Sequence, residues 1–255
     1  MQIQVISLAT AIERRKHIQN EFEKQKISFD FFDALTPNLA LPLAEKMALN
    51  LHCDRIAKGE LACFMSHVSL WKKMVDENIP YLAIFEDDIF LGENSSEFLS
   101  SSDWIEKDWH IVKTEAFAHK IVADQLKKIK STSREIASLK SRNLGTAGYI
   151  LSLEGAKSYL KYVGSNEIIP LDEMMFDHYI KSNNLNVYQL FPALCIQEMM
   201  LFPEKKASLP SDLLIERKAR MRKFKKKGFA KLKLESLRIL NQIELILFGK
   251  VSEFK

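Results

Sequence analysis

Residues 81–90 read YLAIFEDDIF, an apolar run that stops at three consecutive carboxylates, Glu86, Asp87 and Asp88, and then turns apolar again. A run of this length bounded by charge is a buried strand whose C-terminal end delivers acids to the edge of a sheet. In open α/β sheets that edge is where ligands bind. Adjacent carboxylates repel one another, so holding three of them at the mouth of a core strand costs stability unless a cation sits among them. Side chains two apart on a strand share a face, so Glu86 and Asp88 are expected to meet one ion, with Asp87 facing away or lying in the turn. Hard oxygen donors suit Mg²⁺ or Mn²⁺, ions that keep several waters and bind substrate phosphates. A metal–diphosphate site is the expectation, and an idle, solvated acidic strand end is the alternative.

The chain ahead of this stretch fits the same fold class. Residues 2–8 (QIQVISL) read as a buried first strand, and a helix carrying Glu13, Arg14, Arg15 and Lys16 follows with Ile18 and Phe22 on one face. Residues 27–32 (ISFDFF) read as a second strand ending at Asp33 and Ala34, which completes a βαβ unit. A strand passing through a loop into a basic helix start is a corner that can hold a diphosphate, because helix N-termini and arginines both favour anions. A solvated amphipathic helix face would carry the same residues. Residues 37–55, with Pro37 and Pro42, read as loop and a short helix over the sheet edge.

From Gly59 the pattern is helical, with Leu61, Phe64, Val68, Trp71 and Val75 forming a core-facing stripe. Ser66 and His67 fall off that stripe and require polar partners. His52, Cys53, Cys63 and His67 match no usual zinc-ligand spacing, so zinc is not expected. Serines at 95, 96 and 100–102 mark caps around a short helix, and residues 109–115 (WHIVKTE) resemble a strand with charge at its exit. Residues 120–142 are polar and basic without strong periodicity and read as an excursion from the fold. In GTAGYILS (145–152) small residues allow close backbone approach, and Ser152 caps the next helix. Pro170 opens a helix with Asp172 and Glu173 in its first turn. The helix dipole stabilises both anions there, and the same placement suits a proton-abstracting base. Residues 185–192 read as the final strand.

Charge is unevenly divided. The net charge is +4, but residues 216–255 carry +9 and residues 1–215 carry −5. The basic cluster at 217–227 precedes Phe229, Leu232, Leu240, Ile243 and Leu247 on roughly one helical face. A polybasic segment beside an amphipathic helix is the composition of an adsorber to anionic membranes, each basic residue contributing about 1 kcal/mol near the lipid. A partner helix or a solvated tail is the alternative. Nucleic acid is not expected, since no recognised binding motif accompanies the charge. The odd cysteine count, three, fits a reducing compartment. Residues 1–15 lack a secretory signal pattern and no stretch is apolar enough to span a bilayer. A cytoplasmic protein, peripheral on the inner face of the cytoplasmic membrane, is expected. The division read from the chain is a body of 1–210 and a basic helical tail of 211–255.

Several stretches, in order, resemble the family 25 glycosyltransferases, which include bacterial lipooligosaccharide galactosyltransferases: VISLATAIERR, FFDAL, KGELACFMSHVSLW, IFEDDIF, GTAGYILS and PLDE. The resemblance covers about residues 1–200. It implies a GT-A type Rossmann-like mixed sheet flanked by helices, a nucleotide-sugar donor and a divalent ion on an acidic motif. Carried over position by position, Asp88 and Glu86 would hold Mn²⁺ or Mg²⁺. Ser7, Leu8, Arg14, Asp33, Ala34 and Asp87 would border the nucleotide, and Lys58, Gly59, Glu60, Ser66 and His67 would shape the donor pocket. Asp172, then Glu173, would be the base of an inverting transfer. Lys113, Glu115, Thr146 and Gly148 are candidates for sugar or acceptor contacts. Galactose moved from UDP-galactose to a lipooligosaccharide sugar in β linkage is the activity the resemblance favours, with UDP-glucose the second donor. A metal-dependent nucleotide or phosphodiester hydrolase and a non-catalytic membrane-binding module are the competing classes.

Overall fold

The apolar run at 81–85 forms β3 (Tyr81–Glu86), and its two faces show why every residue in it is apolar. Leu82 and Ile84 pack with Val68, Trp71 and Met74 of α3 (Lys58–Asp76) and with Tyr159 and Val163 of α5 (Leu153–Ser165). Ala83 and Phe85 turn the other way, onto Ile18 and Phe22 of α1 (Ile12–Lys24) and Phe98 of α4 (Ser95–Leu99). Alternation along one strand thus feeds two cores, one on each side of a central sheet, which is the three-layer α/β arrangement. The computed structural model describes residues 1–52, 55–130, 132–182, 184–204 and 229–255.

The sheet has eight strands. Its centre is β1 (Gln2–Ser7), β3, β10 (Gly148–Ser152), β5 (Ile111–Lys113) and β11 (Val187–Phe191) side by side. On one flank β2 (Asp30–Asp33) pairs parallel with β1, and on the other β9 (Glu135–Ser138) and β8 (Lys127–Lys128) close the edge. β1, β2, β3, β5 and β11 share one direction, while β10 and β9 run against them. Ser7, Asp33, Glu86 and Lys113 therefore end their strands on the same sheet edge. Between β2 and α3 lies α2 (Pro37–Lys46), which packs on α3. The mixed sheet flanked by helices is the architecture expected from the sequence.

A second, three-stranded sheet sits beyond that edge, built from β4 (Ile89–Leu91), β12 (Cys195–Gln197) and β6 (Glu115–Ala116). β12 leads directly into α7 (Glu198–Leu201). Residues 185–192 are accordingly not the last strand. The cis Phe191–Pro192 bond closes β11, and the chain continues into β12.

Residues 120–142 also depart from expectation. They contain β7 (Lys120–Val122), β8 and β9, and Ile121, Val122, Ile129, Ile136 and Ala137 are buried. Strands of two to four residues, with lysines turned outward, leave too few alternations for a periodic signal. Edge strands this short and lysine-bearing also discourage pairing with another chain.

The C-terminal helix α8 (Phe229–Phe248) is followed by β13 (Gly249–Val251), which pairs antiparallel with β7. The last residues then lie against the body. Phe254 bridges Ala193, and the buried Arg134 guanidinium donates to the carbonyls of Glu93, Pro192, Ala193 and Lys255 at 2.6–3.0 Å. A Cβ on Gly92 would lie 2.1 Å from the Lys255 carbonyl oxygen, so only glycine admits the chain end there. The basic cluster at 217–227 lies outside the described residues. Among the described residues no helix is long and apolar enough to cross a membrane.

Candidate active site

The same alternation that builds two cores separates the three acids. Glu86 follows Leu82 and Ile84 onto the α3 face, and the strand ends there, so Asp87 and Asp88 lie in the turn that leads into β4. Asp87 turns to α1: its Oδ2 accepts from Ser7 Oγ at 2.6 Å and its Oδ1 from Arg14 Nη1 at 2.5 Å. Asp88 accepts from Gln197 Nε2 at 3.1 and 3.3 Å and lies 4.0 Å from Arg14 Nη1. Burial works against the Arg14 guanidinium, yet Asp87, Asp88 and Glu86 together hold its pKa above the ordinary value.

These charges are not balanced. Burial first, and the neighbouring Glu86 charge second, push the Asp88 carboxyl up to about 7. Burial also opposes the Glu86 charge, but His67, Thr146 and Arg14 outweigh it and hold that carboxyl below its usual value. Arg14 is bound first by Asp87, so Glu86 and Asp88 receive only its more distant charge. Glu86 and Asp88 offer carboxylate oxygens of the kind a hard divalent cation takes.

At the junction of β1, α1 and β2, Arg15 donates to the Ser7 carbonyl at 3.0 Å and the Leu8 carbonyl at 3.1 Å, and it pairs with Asp33. Ala34 N–H donates to the Ser7 carbonyl at 2.9 Å. Ser7, Leu8, Arg14, Asp33 and Ala34 are thereby gathered in one corner. Arg15, rather than Arg14, ties the corner's backbone together.

On α3, Glu60 caps the helix by accepting from Ala57 N–H at 2.9 Å, with Gly59 beside it and Lys58 exposed. Ser66 Oγ donates to Ala62 O at 2.8 Å and accepts from Leu35 N–H at 2.9 Å, which ties α3 to the segment after β2. His67 is fully buried, its Nδ1 2.7 Å from Tyr149 Oη, which also accepts from Trp71 Nε1 at 3.0 Å. The other ring nitrogen, Nε2, faces Glu86 Oε1 at 3.7 Å. The polar residues off the helical stripe have thus found partners on β10 and beside β2.

Thr146 Oγ1 donates to Glu86 Oε1 at 2.6 Å. Lys113 and Glu115 lie beneath that segment rather than on its surface. Both are fully buried, and Lys113 Nζ donates to Glu115 Oε2 at 2.9 Å and to the Gly145 carbonyl, while Ala147 N–H donates to Glu115 at 3.0 Å. An enclosed pair of this kind props the 145–147 segment that carries Thr146, and it offers no face to a sugar. Gly148 is a packing glycine, since a Cβ there would meet Cys195 Sγ at 2.2 Å. Asp172 is buried in α6 (Leu171–Glu173) and accepts from Glu173 N–H at 2.9 Å. α6 packs on α3, the helix that carries Cys63 and His67. Tyr149, Trp71 and Gln197 join the site without a sequence signal, because their partners come from other elements.

A mixed α/β sheet flanked by helices, with charged groups gathered at its strand ends, has the edge at which open α/β proteins commonly bind ligands. The sequence matches the family described as "Glycosyltransferase family 25 (LPS biosynthesis protein)" over residues 1–175. It is 43% identical over 223 residues to the lipooligosaccharide biosynthesis protein lic2B of Haemophilus influenzae, covering 84% of this chain and 82% of that protein. It is 39% identical over 225 residues to the lacto-N-neotetraose biosynthesis glycosyltransferase LgtE of Neisseria gonorrhoeae, covering 84% of this chain and 80% of that one. The chain belongs to glycosyltransferase family 25 and is a glycosyltransferase.

Proposed function

We propose that this glycosyltransferase moves galactose from UDP-galactose to a sugar of a lipooligosaccharide acceptor, in an inverting reaction that gives a β linkage. UDP-glucose is the second donor. The acceptor class is supported by the relatives, which are named for lipooligosaccharide and lacto-N-neotetraose biosynthesis. The observation that carries the reading is the placement of Glu86, Asp87 and Asp88 at the end of β3, with the Arg14 guanidinium 2.5 Å from Asp87 and 4.0 Å from Asp88.

Glu86 and Asp88 would hold Mn²⁺ or Mg²⁺, which when bound neutralises the charge that grows on a departing diphosphate. Arg14, fixed by Asp87, adds a positive charge of constant position, and Ser7, Leu8, Asp33 and Ala34 form the floor on which the nucleotide rests. Lys58, Gly59 and Glu60 at the start of α3, with Ser66 and His67 further along it, shape the donor side. Asp172 takes the acceptor hydroxyl's proton as the acceptor oxygen bonds to the anomeric carbon, with Glu173 the second choice. The bond from that carbon to the diphosphate breaks and its electron pair leaves with the diphosphate. Thr146 is assigned to the acceptor side, with Gly148 packing the strand behind it and Lys113 and Glu115 acting there by support.

The tail belongs to the same reading. Ile239, Leu240, Ile243, Ile246 and Leu247 fall on one face of α8 and all are exposed. Downstream of the basic cluster, that face is proposed to lie on anionic lipid at the inner surface of the cytoplasmic membrane.

The test is an acceptor-free screen of UDP-sugar hydrolysis with Mn²⁺ and with EDTA. Release of UDP from UDP-galactose in Mn²⁺ alone is expected. Preferential release from UDP-glucose moves the donor assignment, and release from neither removes it.

A further inference from the structure

The residues that hold Glu86 on the α3 face form a second metal-ligand set of a different chemical kind. Cys63 and His67 are four apart on α3 and so lie one above the other on one face of the helix. Cys63 Sγ, His67 Nε2 and a Glu86 oxygen all lie within 4.8 Å of one another. His67 is fully buried, and its Nε2 has no hydrogen-bond partner. A buried ring nitrogen in that condition costs stability unless something meets it. The 3.7 Å from Nε2 to Glu86 Oε1 is too long for a hydrogen bond. It is close to the ~3.4 Å that separates two donors bound tetrahedrally to one zinc ion at about 2.1 Å each. Tyr149 Oη, 2.7 Å from Nδ1 and itself fixed by Trp71, sets the ring so that Nε2 points at the carboxylate. Metal-binding histidines are held in this way through their other nitrogen.

We propose that Cys63, His67 and Glu86 form a site for a soft or borderline divalent cation, Zn²⁺ first, distinct from the hard-ion pair Glu86 and Asp88. On binding, the Cys63 thiol proton passes to solvent as the sulfur–metal bond forms, and the imidazole proton resides on Nδ1 toward Tyr149. Thiolate, imidazole and carboxylate together select zinc over magnesium or manganese. A tetrahedral ion keeps its fourth position open to water. Glu86 serves either ion, so zinc in this site withdraws a ligand from the other, and Zn²⁺ is an inhibitor that Mn²⁺ relieves. The binding claim stands whether or not the sugar-donor assignment does, because it is read without donor or acceptor.

The probe is Co²⁺, titrated into the reduced full-length chain. A near-ultraviolet thiolate-to-cobalt band that saturates at one ion per chain and collapses on addition of Zn²⁺ is expected. Cys63→Ser should abolish the band, and Tyr149→Phe should weaken binding about tenfold or more by loosening the histidine. X-ray absorption on the zinc-loaded wild-type chain reads the same claim without a substitution, with one sulfur in the coordination shell expected. A shell without sulfur, no thiolate band at saturating cobalt, or a band unchanged in Cys63→Ser would each overturn the site.

Discussion

Replacing Asp88 with asparagine should make the metal-free protein more stable at pH 8 and leave it unchanged at about pH 3. In the unfolded chain this carboxyl has a pKa of 3.8, whereas burial and Glu86 push it to about 7 in the folded state. Between those values the folded protein holds a proton that the unfolded chain has released, so stability falls as pH rises through the window and the loss is complete above it. At about 1.4 kcal/mol per pKa unit, the charged carboxylate costs the folded state at most about 4 kcal/mol at pH 8, and relaxation of the site brings this toward about 2 kcal/mol. Its side chain is 15% exposed, so solvent screens little of that cost. Asparagine keeps a contact with Gln197 and removes the charge. Thermal unfolding in EDTA, followed by near-ultraviolet circular dichroism, should show Asp88→Asn melting about 5–15 °C above wild type at pH 8. The two should coincide at about pH 3 and below, where the carboxyl is protonated in both folded and unfolded chains. In Mn²⁺ the order should narrow or reverse, since only wild type gains a bound ion. A variant that melts lower at pH 8, or gains as much at about pH 3 as at pH 8, would refute the reasoning.

Three other substitutions probe separate parts of the account. Asp172→Asn should lower kcat by about 10²-fold or more while leaving UDP affinity within error, measured by UDP release and by titration; a change in KM alone would move Asp172 out of the base role. Gly148→Ala should destabilise the fold by about 1–3 kcal/mol in denaturant unfolding, because its methyl meets Cys195 Sγ, and Cys195→Ala in the same chain should recover much of the loss. Ile243→Asp with Leu247→Asp should release the protein from anionic vesicles in cosedimentation without changing its melting temperature, and retained binding would assign that face of α8 elsewhere.

Much of the central sheet is legible in the sequence, because strands covered on both faces write themselves as unbroken apolar runs. β3 and the centre of β10 are of this kind, and the buried Gln4 and Gln189 interrupt β1 and β11 without hiding them. β7, β8 and β9 are not, since a two-residue strand such as Lys127–Lys128 has no periodicity to read. The acids at 86–88 are legible as a cluster with Asp87 set apart, but the position of Asp88 in the turn and the partner of Asp87 are not. The strand ends at Glu86, and the turn sends Asp87 to Arg14, a residue 73 positions away. The soft-ligand set shows the same limit from the other side. The spacing of His52, Cys53, Cys63 and His67 matches no usual zinc pattern, because the third donor of the proposed set comes from β3 and no local pattern announces it. Lys113 and Glu115 looked like exposed charge at a strand exit, and became an internal pair once Gly145 and Ala147 closed over them.

The account rests on a cation joining Glu86 and Asp88 to the diphosphate of a nucleotide. Isothermal titration of UDP into the full-length protein tests it most directly, once in Mn²⁺ and once in EDTA, for wild type and Asp88→Ala. Binding of UDP by wild type that needs Mn²⁺ and is lost in the variant is the expected result. UDP bound equally well in EDTA, or by Asp88→Ala in Mn²⁺, would contradict it.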